Sequence, residues 1–165
     1  MMDRVAHHLQ QTAIAKRDNL EDFDIFARSS FNRYYYALFL IVRNTVLIVN
    51  PNWDAVHSGL PDILQGSIYK QINSYRSISL RRQDAQTTET CNRALSALKA
   101  LAELMRNANS VRVIADYNPQ IKVLDEGGLR FALGTTNITS AHDWPERAKT
   151  LTREVERAWR LVSGN

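Results

Sequence analysis

The 165-residue sequence contains one cysteine, Cys91, so no disulfide can form within a chain. Proteins without disulfides are typical of reducing compartments, and we expect a cytoplasmic protein. Near the N-terminus, charged and histidine side chains stand where a secretory signal would be apolar. The most apolar stretch, residues 34–49, contains Arg43 and is shorter than the roughly 20 residues that span a bilayer. The sequence therefore predicts neither a signal peptide nor a membrane span.

The chain has no large excess of charge of either sign, since its formal net charge at pH 7 is +4. Strongly basic nucleic-acid-binding domains usually carry more, so this charge permits an anionic partner without requiring one. Apolar residues make up 44% of the chain and charged residues 23%, as in globular rather than disordered proteins. At this length one hydrophobic core is the usual outcome, and we expect a single domain over residues 1–165.

Apolar residues recur at spacings of three and four along most of the chain, which predicts helices. The predicted helices cover about residues 3–16, 19–49, 61–76, 86–116 and 143–162. Asp18 or Asn19 is the predicted N-cap of the second helix, and Asp143 that of the last. Residues 77–83 are polar and are interpreted as a loop or a fraying helix end.

The second predicted helix is apolar nearly all round, which is typical of a helix at the centre of a bundle. Its residues 41–49 would also suit a strand, but they lack an alternating polar face, so we favour helix. Residues 120–134 alternate between apolar and polar and predict a small β-hairpin or an extended arm. The expected fold is an all-α, up-and-down bundle of about four or five helices that carries this hairpin or arm.

The central helix carries a polar aromatic run, Arg33-Tyr34-Tyr35-Tyr36. In a helix Arg33 and Tyr36 share one face, because residues three apart are neighbours on the helix surface. An arginine beside tyrosine hydroxyls can hold a phosphate or a buried carboxylate. The alternative is that the tyrosines fill the core while an internal acid satisfies the arginine.

An arginine interrupts the apolar seam of the fourth predicted helix. The seam consists of Ala94, Leu98, Leu101, Met105 and Ala108. Four residues further on stands Arg112, where the pattern requires an apolar residue. Because an unpaired buried charge is costly, Arg112 must be paired, lie in a groove or face another chain. Asp116 is four residues further on, so a buried Arg112–Asp116 pair at the helix end is the structural alternative.

A third basic group follows the third predicted helix: Arg76, Arg81 and Arg82, with Tyr75 beside them. Arginines and an aromatic ring on a flexible connection can clamp an RNA backbone and stack a base. The alternative is a solvated loop end. The four histidines, at positions 7, 8, 57 and 142, do not have metal-ligand spacing, and no glycine-rich phosphate loop occurs, so we expect neither metal nor cofactor.

Three short motifs occur in a fixed order on these elements. They are Arg33-x-Tyr35-Tyr36-x-x-Phe39, then His57-x-Gly59, then Arg112-x-x-Ala115-Asp116-Tyr117. Their order and placement, over about residues 20–119, resemble the HEPN family of RNA-linked bacterial defence and toxin–antitoxin proteins. The resemblance implies a helical bundle that dimerises and brings two copies of the last motif to a shared cleft. Many members are metal-independent ribonucleases encoded beside a nucleotidyltransferase antitoxin, and others are RNA-binding or assembly modules.

This chain departs from the family at two positions. The family often has a histidine directly after the Phe39 position, where this chain has Leu40. Active members carry an arginine, then four to six residues, then a histidine, whereas here the equivalent place after Arg112 holds Tyr117. Cleavage through the 2′-hydroxyl of RNA needs a proton shuttle near neutral pH, and a tyrosine with an ordinary pKa near 10 is a poor one. We therefore expect no standard ribonuclease catalysis. An endoribonuclease that uses Arg112 with Tyr117 or His57 is one alternative, and a structural adaptor of a defence complex is another.

The predicted function is binding of RNA or of a partner protein through a basic, tyrosine-lined cleft of a homodimer. Arg112 would hold phosphate, Asp116 would orient Arg112, and Tyr117 with Tyr36 would form hydrogen bonds or stack. Arg33 would join this cleft or brace it. The expected partners are RNA and a nucleotidyltransferase antitoxin or another defence protein. Binding to a membrane is not expected.

Overall fold

The computed structural model describes residues 2–53 and 59–164 and is predominantly helical. The helices are α1 (Met2–Ala15), α2 (Leu20–Val49), α3 (Leu60–Ile63), α4 (Tyr69–Arg81), α5 (Ala85–Tyr117) and α6 (Ile138–Ser163). A π-helical turn, Leu64–Ile68, joins α3 to α4. The strands are β1 (Leu124–Gly127), β2 (Arg130–Leu133) and β3 (Thr136–Asn137). The predicted class, an all-α helical bundle with a small hairpin, is confirmed.

The described residues form two compact units. The first comprises residues 2–38 and 107–145, and the second comprises residues 39–53, 59–106 and 146–164. Helices α2, α5 and α6 each contribute residues to both units. The single domain expected over residues 1–165 stays a prediction.

The core of the first unit is built on the apolar face of α2. Phe23, Phe31 and Tyr34 are almost completely buried, as the spacing along this helix predicts. Phe131, on β2, is fully buried, and its ring meets Phe23 and Phe31 edge to face at centroid distances of 5.6 and 5.8 Å. This aromatic contact fixes the small sheet against α2.

The predicted hairpin over residues 120–134 is present and is followed by a third strand. The order is β1-β2-β3 and both pairs are antiparallel, with Asp125 opposite Phe131 and Leu133 opposite Thr136. Gly127 and Gly128 make the first turn at φ angles of 79° and 57°, a conformation that glycine adopts without steric cost. The sequence reasoning missed β3, since two residues are too few to show alternation.

In the second unit the buried residues of α3, the π turn and α4 are spaced by four. Leu60, Leu64, Ile68 and Ile72 are all fully buried. In a regular α-helix each four-residue step advances about 40° beyond a full turn, so three such steps would carry the last residue well off the core face. The π turn has more residues per turn and absorbs this drift. The spacing of four thus explains why the helix widens at Leu64–Ile68.

Two predicted boundaries are wrong. The loop or fraying helix end expected over residues 77–83 is regular helix through Arg81, because buried Ser79 extends the packed face of α4 and its hydroxyl donates to the Tyr75 carbonyl. Helix α6 begins at Ile138, and Asn137 caps it by accepting the N–H of Ser140 at 2.9 Å, so Asp143 is not the N-cap. The helix also contains Pro145, which sequence patterns place near a helix start.

The helix favoured for residues 41–49 is confirmed, because α2 runs unbroken to Val49. Over the described ranges, none of the helices combines the length and the apolar character that a bilayer crossing requires.

Candidate functional site

Arg112 lies on the last turns of α5, with its side chain about a quarter exposed (24%). Its Nε is 2.7 Å from Oδ2 of Asp116, although the atoms are not aligned as a hydrogen bond. Its Nη2 donates to the hydroxyl of Tyr117 at 3.4 Å, and its guanidinium carbon lies 5.3 Å from the centre of the Tyr117 ring. The helical spacing of four and five residues therefore places an acid and an aromatic ring around one cation.

The other face of the site comes from α2. Asn32 donates from its amide nitrogen to Oδ1 of Asp116, so this carboxylate is held between an arginine and an amide. One residue further along α2, Arg33 is exposed and places its guanidinium 5.7 Å from the centre of the Tyr36 ring. Arg33 and Tyr36 therefore share a face, as predicted from their spacing.

A polar cavity of about 130 Å³ opens between these segments of α2 and α5. Its lining consists of Arg28, Ser29, Asn32, Arg33, Ala115 and Asp116. Such a volume accommodates a few water molecules or one tetrahedral anion, and not a whole nucleotide. The geometry thus suits a single charged group on a larger ligand that lies along the surface.

The sequence reasoning missed Arg28, which is almost completely buried. Its Nε pairs with Asp24 at 2.7 Å, four residues earlier on α2. Its Nη1 donates to the carbonyls of Ile114 and Asn118 at 3.1 and 3.3 Å, and its Nη2 donates to the carbonyl of Ile121. Arg28 therefore caps the C-terminal end of α5 and fixes the position of the Arg112 motif. The sequence shows the spacing of four between Asp24 and Arg28, but it does not show the carbonyls, 86 to 93 residues away, to which Arg28 donates.

Charges in the site act on one another. Burial disfavours the charged form of Arg112, but Asp116 and Tyr117 outweigh it, so its pKa lies above the ordinary value. Burial raises the pKa of Tyr35 to about 12, and the nearby charge of Arg112 opposes this rise only in part. Both groups therefore keep their neutral-pH charge states throughout the physiological range.

Several predicted site residues are not part of this site. Arg76, Arg81 and Arg82 belong to the second unit, where Arg76 donates to the side-chain carbonyl of Asn92 at 3.2 Å. Arg81 and Arg82 are exposed at the end of α4, in helix or directly after it and not on the loop that was expected. His57, the candidate proton shuttle, lies outside the described residues.

His142, which stands alone in the sequence, has close neighbours in the first unit. Its Nδ1 is 2.7 Å from the hydroxyl of Tyr34, which donates to Oε1 of Gln10 at 2.7 Å. The ring of His7 meets that of His142 at a centroid distance of 5.4 Å. Across the part of the chain that the structure describes, no group of three or more histidine, cysteine or acidic side chains is arranged to hold a metal ion.

Comparisons of the chain with protein-family models, with curated proteins and with solved structures found no match. The site is therefore interpreted from its own contacts and charges.

Proposed function

We propose that this protein is a HEPN-like module that binds single-stranded RNA through the Arg112 site, which comprises Arg112, Asp116, Tyr117, Asn32, Arg33 and Tyr36, and that it lacks standard ribonuclease catalysis. One observation carries this proposal: Arg112 replaces an apolar seam residue, yet its guanidinium is partly exposed and held in place by Asp116 and Tyr117. An arginine required only for folding would be expected to be more deeply buried with its acid, as Arg28 is with Asp24, whose side chains are 10% and 16% exposed.

The contacts of Arg112 leave it able to bind a phosphate. A guanidinium has five N–H donors in one plane, and its contacts with Asp116 and Tyr117 cannot use all of them. The partial negative charge at the C-terminal end of α5 would repel an anion. Arg28 offsets this charge, because it donates to the carbonyls of Ile114 and Asn118. The helix end therefore repels a phosphate beside Arg112 less than an uncapped end would.

Aromatic rings flank this phosphate position, which favours single-stranded over double-stranded RNA. Tyr117 is 66% exposed, and half-buried Tyr36 lies under the guanidinium of Arg33. Unstacked bases can lie against such rings, whereas the bases of a duplex are already stacked on one another. The proposal therefore assigns phosphate to Arg112 and base contact to Tyr117 and Tyr36.

The proposal of a non-catalytic site rests on the residue types that meet there. None of the side chains in contact at the site, among the described residues, is a histidine. Tyrosine is a residue type poorly suited to shuttle protons near neutral pH. We further propose that the module acts in the cytoplasm as a homodimer, with an antitoxin or another defence protein as its partner.

The test is fluorescence anisotropy of a labelled single-stranded RNA of mixed sequence, titrated with protein at low salt. The Arg112→Ala variant should bind about ten-fold or more weakly, because a charge-assisted bond to phosphate is lost. Arg4→Ala removes an exposed arginine from α1 of the same unit and is the matched control, which should bind as the unchanged protein does. Equal binding by both variants would contradict the proposal.

The same preparations separate the alternative functions. Metal-independent cutting of RNA that disappears in Arg112→Ala would establish the endoribonuclease instead. Salt-insensitive association with a protein, without retention of RNA at low salt, would favour the adaptor.

A further inference from the structure

The second unit contains a surface cavity of about 580 Å³, which lies in the size range of small-molecule sites. Its lining consists of Gln65, Tyr69, Lys99, Glu103 and Arg106. These residues belong to the π turn, to the start of α4 and to the middle of α5. No residue of the Arg112 site lines this cavity, which we call the Tyr69 pocket.

The π turn shapes one wall of the pocket. Gln65 lies within the turn and Tyr69 directly follows it, so the wider turn aligns these two side chains. Between them Gly66 leaves open space, because a Cβ built at this position would meet no atom within 4 Å. π-Helical turns occur frequently at functional sites.

The opposite wall comes from α5, where Lys99, Glu103 and Arg106 follow one another at spacings of four and three. The ammonium of Lys99 lies 5.5 Å from the centre of the Tyr69 ring. The guanidinium of Arg106 donates to Oε1 of Gln65 at 3.0 Å and lies 3.5 Å from the exposed carboxylate of Asp62. One aromatic ring, two cations, one carboxylate and one amide therefore converge on the cavity.

We propose that the Tyr69 pocket binds a guanosine phosphate. Tyr69 would stack on the base, and Lys99 and Arg106 would contact the phosphate or the O6 and N7 atoms of guanine. The flexible side chain of Lys99, whose ammonium lies over the Tyr69 ring, would move to the anion when a base stacks on that ring.

Glu103 selects guanine among the four bases. Guanine has two adjacent donors, N1–H and the amino group, which a carboxylate accepts side by side. Adenine and cytosine each present one amino donor beside a ring-nitrogen lone pair, N1 in adenine and N3 in cytosine. One oxygen of Glu103 would then accept a hydrogen bond while the other faces an acceptor. Uracil has one donor between two carbonyls. The pocket therefore favours guanine by attraction and disfavours the other bases by repulsion.

Isothermal titration calorimetry with GMP, AMP, CMP and UMP tests this proposal. GMP should bind about ten-fold or more tightly than AMP, since one bidentate contact discriminates by this amount. Glu103→Gln should remove most of that preference, and Tyr69→Leu should weaken all binding about ten-fold. Glu89→Gln is the matched control, an exposed glutamate about 21 Å along the same helix, and should change nothing.

Two results would overturn the proposal: GMP that does not bind, or a preference for GMP that persists in Glu103→Gln. Far-UV circular dichroism checks that both pocket variants fold. The inference does not rest on the RNA-binding proposal, because Arg112→Ala should bind GMP normally. The Arg112→Ala variant also distinguishes the two possible sources of the guanosine phosphate. If a uridine hexamer that contains one guanosine binds this variant more tightly than GMP does, the source is an RNA strand. If GMP competes fully with the hexamer for the pocket, the source is the free nucleotide.

Discussion

The side chain of Arg28 donates a hydrogen bond of 3.1 Å to the carbonyl of Ile114, 86 residues later in the chain. This bond joins the N-terminal third of α2 to the C-terminal end of α5. Because a folded helix end exposes carbonyls without partners, a buried guanidinium at this place satisfies several of them at once. The position of the Arg112 motif thus depends on a residue that does not belong to it.

Replacement of Arg28 should destabilise the fold strongly. In Arg28→Met the apolar part of the side chain is kept, but the carbonyls of α5 lose their donor and Asp24 loses its buried cation. Among the described residues, Asp24 keeps only the exposed ammonium of Lys122 and the N–H of Val123. Breaking such a buried pair costs about 3–5 kcal/mol in the free energy of unfolding, measured by urea denaturation. Arg43→Met, an exposed site on the same helix, should cost less than about 0.5 kcal/mol. Similar midpoints for the two variants would show that Arg28 does not hold the helix end.

The salt dependence of RNA binding should report the phosphate contact of Arg112. For single strands the slope of log K against log salt changes by about 0.7 for each phosphate neutralised. Arg112→Ala should therefore reduce the magnitude of the slope by about this amount, whereas Arg4→Ala should leave it unchanged. The measurement is the anisotropy titration repeated at several salt concentrations. Unchanged slopes in both variants would mean that Arg112 does not contact phosphate.

Neutralising Asp116 should strengthen RNA binding. Asp116→Asn keeps the shape of the side chain beside Arg112 and removes the charge that competes with phosphate. We expect an affinity gain of about two- to five-fold at low salt that disappears as salt rises, since the site is partly exposed to solvent. Weaker binding at low salt would mean instead that the ion pair is needed to orient the guanidinium.

Alkaline pH should destabilise the first unit through buried Tyr35. Its pKa is about 12 in the folded protein and near 10 when unfolded, so its contribution to stability is complete below pH 10 and is lost as pH rises towards 12. Burial raises the pKa of Tyr34 as well, which adds a loss of the same sign. Urea midpoints measured from pH 8 to about 11.5 should fall less steeply in Tyr35→Phe. An equal fall in both proteins would exclude this role for Tyr35.

Repetition along the chain made most of the helical structure predictable. The seam of α5 and the aromatic face of α2 are buried as their spacings required, and Asn19 caps α2 by accepting the N–H groups of Glu21 and Asp22. The start of α6 was not predictable in the same way. Asp143 and Pro145 together resemble a helix beginning, while the cap is formed by Asn137 at the end of a two-residue strand.

The candidate site was predictable only where its contacts are local. The Arg112–Asp116 and Arg33–Tyr36 contacts follow from helical spacing, and both occur. The contact of Asn32 with Asp116 and the capping of α5 by Arg28 join residues more than 80 positions apart. Such long-range pairs leave no periodic signal in a single sequence, so they emerge only from the folded chain.

The π turn lets α3 and α4 bury one continuous face although the buried residues are spaced by four throughout. Deleting one residue between Leu64 and Ile68 would let this segment close into an ordinary α-helix and would change the spacing from four, four and four to four, three and four. Ile72 would then stay on the core face, because steps of three and four residues follow one stripe of an α-helix, but the widened turn beside Gln65 and Tyr69 would be lost. A one-residue deletion here should therefore leave the fold intact and alter the Tyr69 pocket, whereas an insertion would exceed the single extra residue that a π turn absorbs.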